Sequence, residues 1–285
     1  MKTAEYYLLD VFTDQPFSGN QLAVFLNADG LPTATMQAIA NELNLAETVF
    51  LSAPSEPNHY PMRIFTPTQE LPFAGHPTVG TAQLLAELGL ISHAQTLVLH
   101  PPVGELPIRY SGENAVFTAA RPASITPSTL DQQSAAALLG LQPHQVIGTP
   151  VISSCGLAFH LIELSDPAAL KNIHISATIW AETVAPSGAE QIYLYTIENS
   201  DRSETTLRSR MFSREHGLCE DPATGSASAA LTGYLATPNE TTHWTIHQGV
   251  EMGRASVIET TLHNGLVQVG GSAVLVGKGE LYLRD

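Results

Sequence analysis

The 285-residue chain has little cysteine and little positive charge. Cys155 and Cys219 are its two cysteines. Two thiols build no disulfide framework, and a tetrahedral zinc site made of cysteine is excluded. Lysine and arginine together number 12 against 27 acidic residues, for a formal charge of −15. A nucleic-acid surface needs a basic footprint, and Arg208–Ser209–Arg210 is too small to supply one. Anionic membrane surfaces are disfavoured for the same reason. No uncharged apolar run reaches the roughly 18 residues of a membrane span. Glu5 and Asp10 interrupt the first apolar stretch, so no signal peptide is read. These absences predict a soluble, reduced, cytoplasmic protein. A phosphate-binding Walker loop lacks its lysine, G-x-S-x-G lacks its second glycine in "TGSAS", and no G-x-G-x-x-G fingerprint occurs. No H-x-x-x-H or clustered carboxylates suggest a metal, and no cofactor is expected.

What the chain has is 44% hydrophobic residues, enough for a sizeable core. Strand-like runs cover 6–12 and 22–26, a helix is spaced over 33–43, and short strands follow at 48–52 and 62–66. A helix over 76–90 leads into three short strands. "RPASITP" (121–127) is the best linker candidate. It divides the chain into halves 1–120 and 121–285, and the last strands, about 270–285, can return to the first half. The second half has a similar succession of elements. A helix follows 127, strands lie near 150–164, 190–197 and 205–212, a second helix follows Asp221, and strands close the chain.

The two helices can be overlaid without gaps. "HPTVGTAQLLAELGL" (76–90) on "DPATGSASAALTGYL" (221–235) matches Pro77 with Pro222, Gly80 with Gly225, Ala82 with Ala227 and Leu90 with Leu235, at an offset of 145. Upstream, "RIFT" (63–66) answers "RMFS" (210–213) at an offset of 147. Two matched blocks in one order indicate an internal duplication. Residues 222–239 carry no charge and 76–90 carry only Glu87. Helices apolar or small on nearly every face are buried on nearly every face. Each half is therefore expected to be a sheet wrapped around one central helix.

Pro77 and Pro222 suit the first helical position, which would make His76 and Asp221 the N-caps. Small residues after each cap fit two readings: close packing, or a ligand approaching the free N–H groups of the first turn. Two helices related by duplication would aim both starts at one inter-domain cleft. Glu47 is the single carboxylate in an uncharged stretch from Leu43 to Leu51. It is either an exposed strand-start residue or a buried acid whose pKa is raised into the working range of an acid and base. Asn20 is either a turn residue after Gly19 or a hydrogen-bonding partner of a ligand.

"DVFTDQPFSGNQLAVF", "LAETVFL", "RIFTPTQELPFAGHPTVGTA", "EDPATGSASAAL", "IHQGVEMGRAS" and "VQVGGSAVLVGKGEL" together resemble the phenazine-biosynthesis PhzF-like family, which belongs with the diaminopimelate epimerases. The resemblance implies an α+β fold of two pseudo-symmetric domains. Each is a mostly antiparallel, barrel-like β-sheet around a central α-helix. It implies a homodimer and a cofactor-independent isomerase acting on a small carboxylate-bearing molecule. It places Glu47 as the acid/base, with His76 orienting substrate or assisting and Asp221 bonding a substrate amine or hydroxyl. Gly75, Gly225 and Ser226 would hold the carboxylate, and Asn20 would bond the substrate. Two-base epimerases of this fold carry a thiol at each central helix start, and neither "GHPT" nor "DPATGSA" contains one. Cys219 lies just outside, and Cys155 reads as a core residue at a strand end. A one-carboxylate proton shift therefore fits better than a thiol-assisted racemase. A catalytically idle small-acid-binding relative is the alternative from another class. His59, His93, His144, His174 and His263 read as surface or loop residues, His247 as structural, and His216 as a weaker site candidate.

Overall fold

The computed structural model describes residues 2–200, 204–214, 218–236 and 242–283. The chain forms two units, Met1–Phe117 with Gly270–Asp285, and Thr118–Val269.

The first unit begins with β1 (Lys2–Val11), β2 (Asn20–Phe25), α1 (Thr33–Leu43), β3 (Glu47–Leu51), β4 (His59–Phe65) and the two-residue β5 (Glu70–Leu71). The central helix α2 (Gly75–Glu87) follows, then β6 (Leu97–His100), β7 (Leu106–Ser111) and β8 (Asn114–Thr118). Met36, Ile39 and Ala40 recur at helical spacing, so α1 turns that stripe onto Ala23, Phe25, Phe50 and Phe65 on one sheet face. It ends where Asn44 enters the left-handed region, its N–H bonded to the Ala40 carbonyl. The opposite face packs on α2, which is buried at every residue from Gly75 to Leu85. Gly80 permits this approach, because a Cβ there would stand 2.6 Å from side-chain carbons of both Leu22 and Val11.

The second unit begins with β9 (Ser124–Pro127), α3 (Gln132–Leu139), β10 (Val146–Ser154), β11 (Ala158–Leu164), α4 (Pro167–Lys171) and α5 (Ala177–Thr183). Then come β12 (Gln191–Ser200), β13 (Glu204–Ser213), β14 (Cys219–Asp221), the central helix α6 (Gly225–Leu235), β15 (His243–Gln248), β16 (Ser256–His263) and β17 (Leu266–Gly271). Helices α3 to α5 bury leucine, alanine and Trp180 against Ile192, Leu194 and Phe212 on one face. Helix α6 takes the other face and buries Gly225 and Ala227 to Thr232. Finally β18 (Ala273–Leu283) rejoins the first unit as the antiparallel partner of β1.

The strand senses repeat. In the first unit β1–β2 is antiparallel, β2–β3 parallel, β3–β4 antiparallel, β4–β6 parallel and β6–β7 antiparallel. In the second, β10–β11, β11–β12, β12–β13, β13–β15 and β15–β16 follow the same order. Strand β9 stands to β10 as β18 stands to β1. Each unit is a sheet around one helix, the α+β arrangement expected from the sequence.

Three expectations are corrected. The segment 121–127 is not a linker, because residues 124–127 form β9 and pair with β10. The N-caps are Ala74 and Thr224, not His76 and Asp221. His76 is the second residue of α2, and Asp221 ends β14. Pro77 is tolerated inside the first turn because N–H groups there lack helical partners anyway. The register of the duplication also differs. Arg63 on β4 corresponds to Arg210 on β13, but Phe65 pairs with Glu70 while Phe212 pairs with Glu220. The second connection is three residues longer, so Glu70, Pro72 and Gly75 match Glu220, Pro222 and Gly225 at an offset of 150. Thr78 and Ser228 confirm it, each hydroxyl donating to the carbonyl of its own N-cap residue.

Among the described residues no helix is long and apolar enough to cross a membrane.

Candidate active site

In the first unit the start of α2 gathers four of the expected residues. Glu47 opens β3 and points to the α2 side of the sheet, its side chain 17% exposed. His76 is 5% exposed, and its Nδ1 stands 3.4 Å from Glu47 Oε2. Asn20, buried as the first residue of β2, places its amide nitrogen 3.3 Å from the same Nδ1. Asn20 reaches this position because Gly19 turns at φ +62°, where a Cβ would collide with the Val11 carbonyl. Burial pushes the His76 pKa down to about 3, and hydrogen bonding to the Gln21 backbone offsets this only in part. The ring is therefore neutral, and its approach to Glu47 is not an ion pair. The ring proton sits on Nδ1 or on Nε2 according to the tautomer, which sets whether Nδ1 donates or accepts. Nε2 is buried without a partner. Gly75, the first residue of α2, is buried directly before it.

In the second unit Asp221 ends β14, and Thr224 Oγ1 donates to its Oδ2. Gly225 and Ser226 are the first two residues of α6. In the corrected register Ser226 corresponds to His76, and Leu71 to Asp221. Strand pairing sets Phe50 opposite Arg63 and Leu194 opposite Arg210, so the counterpart of Glu47 is Gln191, which opens β12. The Gln191 side-chain oxygen is buried without a partner.

Neither cysteine stands at a helix start. Cys155 follows β10, donates toward the Ala229 carbonyl, and burial pushes its thiol up to about 11. Cys219 is exposed on β14 beside Ser213. His216 lies outside the described residues. His93, His144, His174 and His263 are exposed, but His59 is a half-buried residue of β4, with its Nδ1 3.0 Å from His100 Nε2. Among the described residues no group of three or more His, Cys, Asp or Glu side chains could hold a metal ion.

Sequence reasoning missed Thr224, Gln248 and Gln191. It also missed two matched ion pairs, Arg63 with Glu70 and Arg210 with Glu220, each joined by two short N–H···O bonds. The signal was present as E-x-P-x-x-G, found at both 70–75 and 220–225.

Residues 9–279 match the family described as phenazine biosynthesis-like protein. An uncharacterized isomerase of Mesorhizobium japonicum is 38% identical over 99% of this chain and all of its own length. The trans-2,3-dihydro-3-hydroxyanthranilate isomerase of Pseudomonas fluorescens is 33% identical over 98% of this chain and 99% of its own. A predicted epimerase from Pseudomonas aeruginosa superposes with a TM-score of 0.80 at 31% identity, covering 99% of this chain and all of that one. A hydroxyproline epimerase from Agrobacterium vitis shares the fold alone, with a TM-score of 0.62 at 12% identity, covering 99% of this chain and 93% of that one. The chain belongs to the phenazine biosynthesis-like family and is an isomerase.

Proposed function

We propose that this family member moves a proton within a small carboxylate-bearing substrate, without metal or cofactor, and that Glu47 is the acid and base. The observation that carries the reading is the contact between Glu47 and a neutral, buried His76 at the start of α2. Glu47 takes a proton from a substrate carbon, and the electron pair of that C–H bond enters the adjacent π system. The same carboxyl returns the proton at another carbon, so no electrons are gained or lost. In the tautomer whose Nδ1 accepts from Asn20, the Nε2–H of His76 donates to the substrate oxygen on which negative charge builds. The backbone N–H groups at Gly75 in the first unit, and at Gly225 and Ser226 in the second, are each unit's groups for a carboxylate, and Asp221 is an acceptor for an amine or hydroxyl.

The Pseudomonas fluorescens relative supplies the probe, trans-2,3-dihydro-3-hydroxyanthranilate, whose name carries a carboxylate, an amine and a hydroxyl. Turnover of this or a similar small acid in D₂O, followed by NMR, is expected to show isomerisation that Glu47→Gln abolishes. Normal turnover by that variant overturns the assignment. The variant outweighs the isotope pattern, because direct internal transfer carries no solvent deuterium.

A further inference from the structure

The stretch "IHQGVEMGRAS" (246–256) has no role in the reading above, yet it wraps the turn that carries Asp221. Gly249 turns at φ +72°, so close to this turn that a Cβ would lie 2.6 Å from the Pro222 carbonyl oxygen. Ser256 Oγ donates to that same carbonyl at 2.9 Å. Gln248, fully buried at the end of β15, uses its whole amide on this turn and its surroundings. Its Nε2 donates to the Asp221 carbonyl at 2.8 Å and to Thr224 Oγ1 at 2.9 Å. Its Oε1 accepts from the Thr224 N–H at 3.2 Å and from Tyr193 Oη at 3.1 Å.

These bonds fix a direction. A hydroxyl has one proton. Because Thr224 Oγ1 already accepts from Gln248, its own proton goes to Asp221 Oδ2. We propose that Gln248 is a positioning residue, which aims the Thr224 hydroxyl at Asp221 and so sets the orientation and charge of that carboxylate. The inference rests on the assignment of Asp221 to the substrate.

The first unit shows that the fold does not require this set. Arg63 matches Arg210, so Pro61 matches Arg208. Pro61 pairs with His100 and Arg208 with His247. The residue after each is therefore equivalent, and Pro101 stands for Gln248. Leu71 stands for Asp221 and Ala74 for Thr224. The same hairpin, turn and central helix form there with all three polar groups missing together. The polar set is an addition to the scaffold of the second unit, as expected of a functional group of residues.

Other groups near the carboxylate leave it under this control. Tyr193 on β12 senses the Asp221 charge, but burial raises it to about 12, so it stays neutral. Arg210 on β13 is turned to Glu220, and Cys219 on β14 to Ser213.

The test uses the full chain with ¹³C-carboxyl-labelled aspartate, the Asp221 signal being identified by its loss in Asp221→Asn. Hydrogen bonds to the charged form lower a carboxyl pKa. Gln248→Met and Thr224→Val are each expected to raise the Asp221 titration midpoint by about one pH unit. The double variant should go no further, because both changes break one relay. Thr224→Ser keeps the hydroxyl and should keep the midpoint. If Gln248→Met does not fold, Gln248→Asn, which withdraws the same amide by one methylene, replaces it. An unmoved midpoint in a folded Gln248 variant, or shifts that add in the double variant, overturns the inference. Undiminished turnover of the probe acid by Asp221→Asn is a separate result, removing Asp221 from the proposed chemistry while the titration still decides the role of Gln248.

Discussion

The first unit puts a carboxyl and a neutral imidazole at the start of its central helix; the second puts an amide and a hydroxyl at the same two places. Glu47 and His76 correspond to Gln191 and Ser226 in the duplication, while Leu71, Ala74 and Pro101 correspond to Asp221, Thr224 and Gln248. Around these differences the scaffold is held constant. Arg63 lies 5.0 Å over Phe65 and Arg210 lies 5.0 Å over Phe212, and each guanidinium clamps the glutamate of the following short strand. The hairpin, the N-cap position and the threonine or serine bonded back to it also repeat. What recurs is what folds the sheet around the helix. What differs is the set of polar side chains around the two helix starts.

The largest effect tests that asymmetry directly. Glu47→Gln is expected to lower kcat/KM on the probe acid by about 10²- to 10⁴-fold. Adding Gln191→Glu to it should restore nothing, and recovery of turnover would show that the acid can work from either unit. The two ion pairs come next. Arg210 and Glu220 are 12% and 14% exposed, against 33% and 30% for Arg63 and Glu70. Urea unfolding should therefore show a cost of about 3 kcal/mol for Glu220→Gln and about 1 kcal/mol or less for Glu70→Gln. Equal costs would mean that the deeper burial of the second pair has no energetic consequence.

A third effect concerns pH. Among the described residues each unit buries one neutral histidine, His76 with its pKa near 3 and His160 with its pKa near 4, both lowered chiefly by burial. His160 is braced by Ser128 and Ser187. Below the unfolded value of about 6.5 the unfolded chain takes up protons that the folded chain refuses. The stability is thus fully present above that pH and falls as pH drops toward 4 and 3. Each histidine contributes up to about 1.4 kcal/mol per pH unit in that window. Replacing His76 by serine, the residue at the matching position of α6, should flatten the slope measured by thermal unfolding between pH 6 and 4. An unchanged slope would show that the ring is not buried neutral.

Much of this was legible in the sequence. The spacing of Met36, Ile39 and Ala40 gave α1 at its observed limits, and the missing charges of 76–90 and 222–239 announced helices buried all round. Uncharged neighbours marked Glu47 as unusual before any contact was known. The register of the repeat was hidden because proline, glycine and alanine recur within both helix starts, so a slide of five residues still scores matches. The E-x-P-x-x-G pattern resolves it only once two glutamates are known to hold arginines. Thr224 and Gln248 lie 24 residues apart, joined by bonds between side chain and turn that no periodicity records. Strand β9 reads as a linker because Pro122 precedes it and Pro127 ends it. Pro127 is tolerated at the last position of an edge pairing.

The pairing of β1 with β18 also orders events during synthesis. Strand β1 leaves the ribosome early, but its partner begins only at Ala273. At about 5–20 residues per second that is a wait of roughly 15–50 s. The second unit, Thr118–Val269, is an unbroken stretch of chain and has all its residues beforehand. Contacts of such long sequence separation are slow to form. The residues of the unit that carries Glu47 and His76 are thus completed last, and a chain stopped short of Ala273 lacks the partner of β1 while all of Thr118–Val269 is already made.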